Sequence, residues 1–97
     1  NNHPNSFILS QNYPNPFNGN TTIPFELIKK ENKDLKIINI NGITVKIFNI
    51  SNYSIGNHTI SWNGTDYQNR SLPSGQYFYS ISSPKGHSVT NKMIYIK

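Results

Sequence analysis

The chain has 97 residues, of which 34% are hydrophobic, 12% aromatic and 13% charged, and its formal net charge is +5 at pH 7. This length allows one domain and excludes two independent cores, and the absence of cysteine excludes disulfide frameworks, thiolate zinc sites and cysteine nucleophiles. No apolar run approaches the length of a membrane span, and the first residues do not resemble a signal peptide, so we expect any export address to lie elsewhere.

Residues 1–20 contain Pro4, Pro14 and Pro16, which fix φ and bias the preceding residues towards extended geometry. We therefore predict an extended lead-in here, with residues 1–8 as a linker and residues 9–97 as the domain. Five apolar side chains of the lead-in are expected to dock on that domain: Phe7, Ile8, Leu9, Tyr13 and Phe17.

Six later segments are predicted as strands, because apolar residues alternate with polar ones and turn-forming residues separate the segments. They are Thr21–Leu27, Leu35–Ile40, Ile43–Ile50, His58–Asn63, Gln76–Ser82 and Ser88–Lys97. Pro24 lies within the first segment. Since proline cannot donate to a sheet ladder, we expect this strand at a sheet edge or at a bulge.

Two connections carry further predictions. The segment Lys29–Lys36 mixes lysines with acidic residues and predicts a solvated loop. Asn41 and Gly42 lie between two apolar strands, and this pair predicts a hairpin closed by a type I′ turn, in which both residues have positive φ.

Six or seven short strands with turn signals between them, and no helical period, predict an all-β fold. The architecture that fits best is an antiparallel immunoglobulin-like β-sandwich of about seven strands. Trp62, the single tryptophan, is expected to lie in a central strand and to anchor the core.

The ionisable residues form no recognisable catalytic or metal-binding pattern. The four carboxylates and three histidines are Glu26, Glu31, Asp34, Asp66, His3, His58 and His87. Their spacing indicates neither the facing carboxylates of a glycosidase nor a set of metal ligands, and no Gly-x-Ser-x-Gly motif is present. We therefore expect a protein that is not an enzyme and that uses no metal or other cofactor.

The positive charge and the aromatic residues raise two classes of ligand, nucleic acids and sugars. Nucleic-acid binding requires lysines clustered on one face among aromatics, whereas these lysines are scattered or accompanied by acids, so no nucleic-acid partner is expected. Exposed tyrosines could stack on sugars, but strand aromatics more often belong to the core. The tyrosines in question are Tyr53, Tyr67, Tyr77, Tyr79 and Tyr95.

The run Leu9–Asn18 reads LSQNYPNPFN and resembles the opening signature of the type A C-terminal sorting domain of the bacterial type IX secretion system. The similarity continues in order through Thr21–Leu27, Leu35–Gly42, Trp62–Tyr79 and Lys92–Lys97. The chain is also similar to the immunoglobulin-like domain of the flagellar hook-cap protein, more loosely, because that domain lacks the NYPNPF run.

The resemblance implies a non-catalytic, seven-stranded immunoglobulin-like domain at the end of a larger exported protein. Such a domain directs its cargo through the periplasm and across the outer membrane to the cell surface or the extracellular space. The implied partners are an outer-membrane translocon, a cell-surface sortase and a covalently attached N-terminal cargo, and no membrane span is expected in the domain.

Two segments are predicted to be recognised by this machinery. The terminal strand consists of Lys92, Met93, Ile94, Tyr95, Ile96 and Lys97; such a strand can be recognised in place or can add to a partner's sheet edge, although it could equally be an ordinary last strand. The second segment consists of Asn12, Tyr13, Pro14, Asn15, Pro16 and Phe17, for which holding the lead-in against the sheet is favoured over receptor contact.

A different function stays open at this point. The chain could be a structural or adhesive immunoglobulin-like module that self-assembles into a surface layer or filament, with Phe7–Leu9 donated as a strand to a neighbouring copy. A carbohydrate-binding module is a third alternative, and it would need a flat row of exposed aromatic side chains.

Overall fold

The computed structural model describes residues 6–97, so the first five residues of the predicted lead-in, with His3 and Pro4, lie outside the described residues. Within 6–97 the chain forms seven strands and no helix, which confirms the all-β prediction. The strands are β1 (Phe7–Leu9), β2 (Thr21–Leu27), β3 (Asp34–Ile38), β4 (Thr44–Asn49), β5 (Gly56–Trp62), β6 (Gly75–Ser82) and β7 (Ser88–Tyr95).

The strands form two antiparallel sheets, one with the order β1-β2-β5 and the other with the order β4-β3-β6-β7. Side chains alternate across each sheet: in β2, for example, Ile23, Phe25 and Leu27 are buried between the sheets. The two inner faces enclose one apolar core, as in an immunoglobulin-like sandwich. The predicted architecture is therefore confirmed, whereas the domain boundary between residues 8 and 9 stays a prediction.

Trp62 is 1% exposed and anchors the core as predicted. Its ring packs edge-on against Tyr77 and tilted against Phe17, with centroid separations of 5.5 and 5.7 Å, and its indole N–H donates to the Thr65 carbonyl at 2.9 Å. Its predicted place in a central strand is wrong, because β5 is an edge strand. The ring is buried by the opposite sheet and by Phe17.

The prediction that Pro24 lies at a sheet edge or bulge is wrong, because β2 lies between β1 and β5 with continuous pairing. The Ser10 N–H donates to the Pro24 carbonyl at 3.0 Å, just beyond the end of β1 at Leu9. In a strand the N and O atoms of one residue point to the same neighbour, so the Pro24 nitrogen faces the Ser10 carbonyl. That carbonyl accepts a hydrogen bond from the Tyr79 hydroxyl instead, at 2.7 Å, and no acceptor is left without a donor.

The hairpin between β3 and β4 is confirmed, but its predicted type I′ turn is wrong. The connecting loop spans residues 39–43, and Asn39 Oδ1 accepts hydrogen bonds from the N–H groups of Asn41 and Ile43 at 2.9 and 3.0 Å. Only Gly42 of the predicted central pair has a positive φ, at 81°. Two backbone bonds also close the loop: the Asn39 N–H donates to the Ile43 carbonyl at 2.9 Å, and the Gly42 N–H donates to the Asn39 carbonyl at 3.0 Å.

The prediction of a solvated loop at Lys29–Lys36 is wrong for Lys33, whose side chain is 1% exposed. The Lys33 Nζ atom lies 3.1 Å from Glu31 Oε1 and donates to the Lys29 carbonyl at 3.1 Å. A buried ammonium is tolerated only with a countercharge and hydrogen-bond acceptors. The Glu31 carboxylate therefore compensates the burial of Lys33.

Two carboxylates make the stability of the fold sensitive to acid. The neighbouring Ser6 hydroxyl, followed by the Lys33 ammonium, lowers the pKa of Glu31 below its ordinary value of 4.5. The backbone N–H of Arg70, followed by that of Gln68, lowers the pKa of Asp66 below its ordinary value of 3.8. A carboxyl group with a depressed folded-state pKa stabilises the fold above its ordinary pKa, and this contribution is lost as the pH falls through the folded-state value.

We expect the midpoint of urea unfolding to fall as the pH drops below about 4.5. The Glu31→Gln/Asp66→Asn double variant should be less stable than the wild type at neutral pH, and its midpoint should depend less on pH in the acid range. Urea titrations at several pH values measure both effects. If the urea midpoint depended on pH in the same way in the wild type and in the double variant, the assignment of the acid sensitivity to Glu31 and Asp66 would be contradicted.

Candidate recognition site

The two segments predicted as recognition elements meet at one edge of the four-stranded sheet. β7 is the edge strand, and residues 11–18, here termed the strap, run along its outer side. Phe17 forms a parallel bridge with Tyr95: the Phe17 N–H donates to the Ile94 carbonyl at 3.0 Å, and the Ile96 N–H donates to the Phe17 carbonyl at 2.8 Å. The strap and the terminal strand therefore form one unit.

Side chains of the strap bond to further backbone groups on the same edge. Gln11 Nε2 donates to the Lys92 carbonyl at 2.9 Å, Asn15 Oδ1 accepts from the Ile94 N–H at 2.9 Å, and Asn18 Nδ2 donates to the Ile96 carbonyl at 3.2 Å. Backbone groups of an unpaired edge would be available to an added strand. Since the strap occupies these groups, a partner strand could pair here only after displacing it.

Phe17 fixes the strap to the core. Its side chain is 2% exposed and stacks on Tyr95, with ring centroids 5.0 Å apart and an interplanar angle of 26°. Phe7 is also fully buried, and Leu9 packs partly buried against the core. The docking prediction is thus confirmed for these three residues. It is wrong for Ile8 and Tyr13, which are 43% and 57% exposed: Ile8 is the outward residue of β1, and Tyr13 lies in the exposed middle of the strap.

Asn12 holds the start of the strap through a buried hydrogen-bond network. Its side chain is buried, and its Nδ2 donates to Thr21 Oγ1 at 2.9 Å, while the Thr21 hydroxyl donates to the Pro14 carbonyl at 2.9 Å. Buried polar groups need such partners. Asn12 and Phe17 are thus structural, whereas the intervening residues Tyr13, Pro14, Asn15 and Pro16 are exposed.

Tyr79 also belongs to this site, although the sequence indicated it only as a core residue or a candidate for stacking on sugars. Its ring lies in the core, and its hydroxyl donates to the Ser10 carbonyl at 2.7 Å and accepts from the Asn12 N–H at 2.8 Å. Burial raises the pKa of Tyr79. The tyrosine thus ties the beginning of the strap to β6. Its alternation with Tyr77 and Ile81 indicates a core position but gives no sign of the hydroxyl's partners.

Replacing Tyr79 by phenylalanine should lower the free energy of unfolding by about 1 to 3 kcal/mol, because the buried Asn12 N–H loses its partner and the Ser10 carbonyl keeps only the Asn91 side-chain amide, at 3.3 Å. Urea denaturation measures the change. Tyr67→Phe is the matched control, since Tyr67 is 58% exposed and its hydroxyl group faces solvent. Equal stabilities of the two variants would contradict the role of the Tyr79 hydroxyl.

The side chains of the terminal strand divide between the core and the surface. Met93 and Tyr95 are buried, at 0% and 5% exposure. Lys92, Ile96 and Lys97 are exposed, and Ile94 is half-buried. A partner that binds the folded domain would therefore contact the outward members of the strand and the exposed middle of the strap.

The fold also bears on the sugar-binding and metal-binding alternatives. Tyr77, Tyr79 and Tyr95 are buried, so these strand tyrosines do not provide a flat sugar-binding row. Within residues 6–97, no three His, Cys, Asp or Glu side chains converge where they could hold a metal ion. In the same part of the chain, no helix has the length and apolar character needed to cross a membrane.

Comparisons with known proteins point to one family. The sequence model of the family described as FlgD Ig-like domain matches residues 11–87, whereas no curated protein sequence matches the chain. A solved structure of PorZ, a surface component of the type IX secretion system of Porphyromonas gingivalis, is 20% identical with a TM-score of 0.64, and the match covers 90% of this chain and 11% of that chain.

A truncated FlgD from Helicobacter pylori is also similar, with 18% identity and a TM-score of 0.61 over 94% of this chain and 66% of that chain. The chain thus spans about a tenth of the PorZ chain and just under two thirds of the FlgD chain. At these identities the structural likeness shows the shared fold.

Proposed function

The chain belongs to the family of FlgD Ig-like domains, and from this premise we propose that it is a non-catalytic sorting domain that directs an attached cargo protein across the outer membrane by type IX secretion and to the cell surface. Two findings support the proposal: the resemblance of residues 9–97 to type A sorting domains, and the fold shared with a domain of PorZ. The proposed partners are the outer-membrane translocon, the cell-surface sortase and the N-terminal cargo.

The observation that carries the proposal is the union of the strap with the terminal strand. Both segments that resemble the sorting signature contribute to one surface, and Phe17 joins them through Tyr95. A signature spread over opposite ends of a chain is explained if the folded unit, rather than either segment alone, is recognised.

The position of this unit also suits a domain with cargo at its N-terminal side. Phe7 packs against His87, with ring centroids 5.2 Å apart, at the end of the sandwich where β7 begins. Tyr95 lies eight residues after His87 along β7, which is about 26 Å from His87 at the usual rise per residue. A cargo joined upstream of Ser6 therefore attaches away from the terminal strand and leaves it accessible.

Recognition in place is favoured over strand addition at this edge. The outward backbone groups of Ile94 and Ile96 are bonded to the strap, so at the end of the terminal strand the groups still available are side chains. We therefore expect the machinery to contact Lys92, Ile96 and Lys97, together with the exposed strap residues.

The test is export of a secreted reporter fused to this chain in a bacterium that has a type IX system. The wild-type fusion should reach the cell surface, whereas Ile96→Asp should leave most of the reporter in the periplasm, because it places a charge on an apolar contact. Ile55→Asp is the matched control, since Ile55 is 62% exposed and lies beside the first residue of β5, away from the terminal strand. Circular dichroism confirms that both variants fold.

Retention of the wild-type fusion in the periplasm would contradict the sorting role. Equal export of Ile96→Asp and Ile55→Asp would contradict recognition through the terminal strand. Point variants are preferred to deletion of residues 93–97, because that deletion removes the buried Met93 and Tyr95 and would test folding instead.

The self-assembling module has less support. Its proposed donor strand, Phe7–Leu9, pairs with β2 of the same chain, and Phe7 is fully buried. Donation to another copy would require β1 to leave its own sheet. Size-exclusion chromatography distinguishes the two functions: a monomer is expected of a sorting domain, and a ladder of oligomers is expected of a filament or layer subunit.

A further inference from the structure

The outward faces of the two sheets differ in chemical character. On the three-stranded sheet, the outward residues of β2 and β5 are Thr22, Pro24, Glu26, Asn57, Thr59 and Ser61. Apart from Pro24 and from Ile8, the outward residue of β1, this is the polar face expected where a sheet meets water. The four-stranded sheet instead carries an outward row of large apolar side chains, here termed the outer row: Ile38, Ile47, Phe78 and Ile94.

The register of the strands makes the outer row continuous. Phe78 lies opposite Ile38 on one side and opposite Lys92 on the other, and directly opposed residues point to the same face. Ile47 lies opposite Lys36 on the next rung. Ile47 is 37% exposed, and the other three members of the row are half-buried. The row therefore crosses all four strands, with one aromatic ring near its centre.

Two lysines flank this row without an ionic partner. Among residues 6–97 the ion pairs are Lys33 with Glu31 and Arg70 with Asp66, so neither Lys36 nor Lys92 has a carboxylate within 4.0 Å. Lys36 and Lys92 are two strands and one side-chain repeat apart, which is about 12 Å between their backbones. Asp34, the one carboxylate among the outward residues of these four strands, lies two residues from Lys36 on the same face. The face thus combines an apolar centre with two lysines and one aspartate, an excess of positive charge.

We propose that this face binds an extended segment of a partner protein in which one apolar side chain lies between two carboxylates. Side chains four residues apart on an extended chain share a face and are about 13 Å apart, which matches the separation of Lys36 and Lys92. The intervening apolar side chain would then cover Phe78. The inference does not depend on the export role, because it rests on the face alone.

The charges on this face favour an acidic and apolar segment over a second copy of the chain as the partner. A two-fold interface places the same surface on both subunits, so pairing two such faces would bring four lysines and only two aspartates into a shared apolar interface. Like charges facing each other oppose association. An acidic and apolar segment instead compensates both lysines while it covers the row.

The experiment uses the purified chain labelled with 15N and a capped nine-residue peptide with glutamate at its third and seventh positions, leucine at its fifth and serine or threonine elsewhere. Titration should shift the amide signals of residues on the outward face, centred on Ile38, Phe78 and Lys92. The Lys36→Glu/Lys92→Glu variant should bind the peptide about tenfold more weakly, because two attractions become repulsions.

Two controls separate this site from general charge attraction. Lys30→Glu/Lys85→Glu makes the same change in net charge at exposed lysines outside the face and should bind as the wild type does. A peptide with lysine in place of both glutamates should not bind. Because the amide spectrum reports folding and export is not required, failure here is distinct from failure of the sorting role.

Three results would overturn the proposal. One is equal weakening by the two charge-reversal variants, which would indicate attraction without a site. Another is shifts confined to other surfaces. The third is a different occupant of this face. Vesicles of phosphatidylglycerol would then displace the peptide, or the chain would associate with a second copy of itself through this face, and sedimentation detects either complex.

Discussion

Replacing Phe17 by alanine should lower the free energy of unfolding by about 3 to 5 kcal/mol, the range measured for truncating a buried phenylalanine. The ring contacts Tyr95 and Trp62, with centroids 5.0 and 5.7 Å away, and it is the residue that fixes the strap to the core. Truncation would leave a cavity between the strap and both rings. Urea denaturation followed by tryptophan fluorescence measures the loss, since Trp62 borders the cavity.

Tyr13→Ala is the matched control for this prediction, because it removes an aromatic ring from the same strap at a position that is 57% exposed. Surface changes of this kind usually alter stability by less than about 0.5 kcal/mol. Similar losses in the two variants would show that Phe17 does not anchor the strap.

Replacing Gly64 by alanine should lower the free energy of unfolding by about 3 kcal/mol or more, from the sum of backbone strain and overpacking. Gly64 has a φ of 77°, and a Cβ atom there would overlap the Tyr95 ring, including its hydroxyl oxygen at 2.8 Å. The ring cannot move away easily, because it is 5% exposed and stacks on Phe17.

Gly42→Ala separates the two causes. Gly42 has a similar φ of 81°, but a Cβ atom added there would meet no atom within 4 Å, so only the backbone cost of about 1 to 2 kcal/mol remains. Thermal and urea unfolding of both variants give the comparison. A loss at Gly64 no larger than that at Gly42 would contradict the close approach of the Tyr95 ring.

The strand pattern and the sandwich could be predicted from the sequence because alternation and turn residues act locally. The position of β2 could not be predicted, since the rule that excludes proline from inner strands assumes a neighbour that continues past it. Here β1 stops at Leu9, and a tyrosine hydroxyl from the other sheet replaces the missing donor at Ser10. The compensating contact is 69 residues distant in sequence and has no local signal.

The turn at Asn41 and Gly42 and the burial of Lys33 show the same limit. Asn39 side-chain bonds support a loop that is longer than the two residues predicted from the Asn-Gly pair. The mixed charges around Lys33 predict solvation, but Glu31 lies close enough to compensate a buried ammonium. In both cases a side chain supplied a bond that composition does not reveal.

The residues of the recognition site could be named from the sequence, but their joint arrangement could not. The resemblance to type A sorting domains indicated the strap and the terminal strand as two separate segments. Their pairing depends on the Phe17 bridge to Tyr95, a contact between the two ends of the chain. The outer row was not singled out either, because its members come from four strands whose register only the fold determines.

That the strap and β7 form one closed unit is tested most directly by amide hydrogen exchange in the wild-type chain. The N–H groups of Phe17 and Ile96, which bond the strap to the strand, should exchange nearly as slowly as those of the sheet interior, such as Ile37. Exchange of both groups at the rate of an exposed loop amide, such as that of Tyr67, would contradict the closed edge and with it recognition in place.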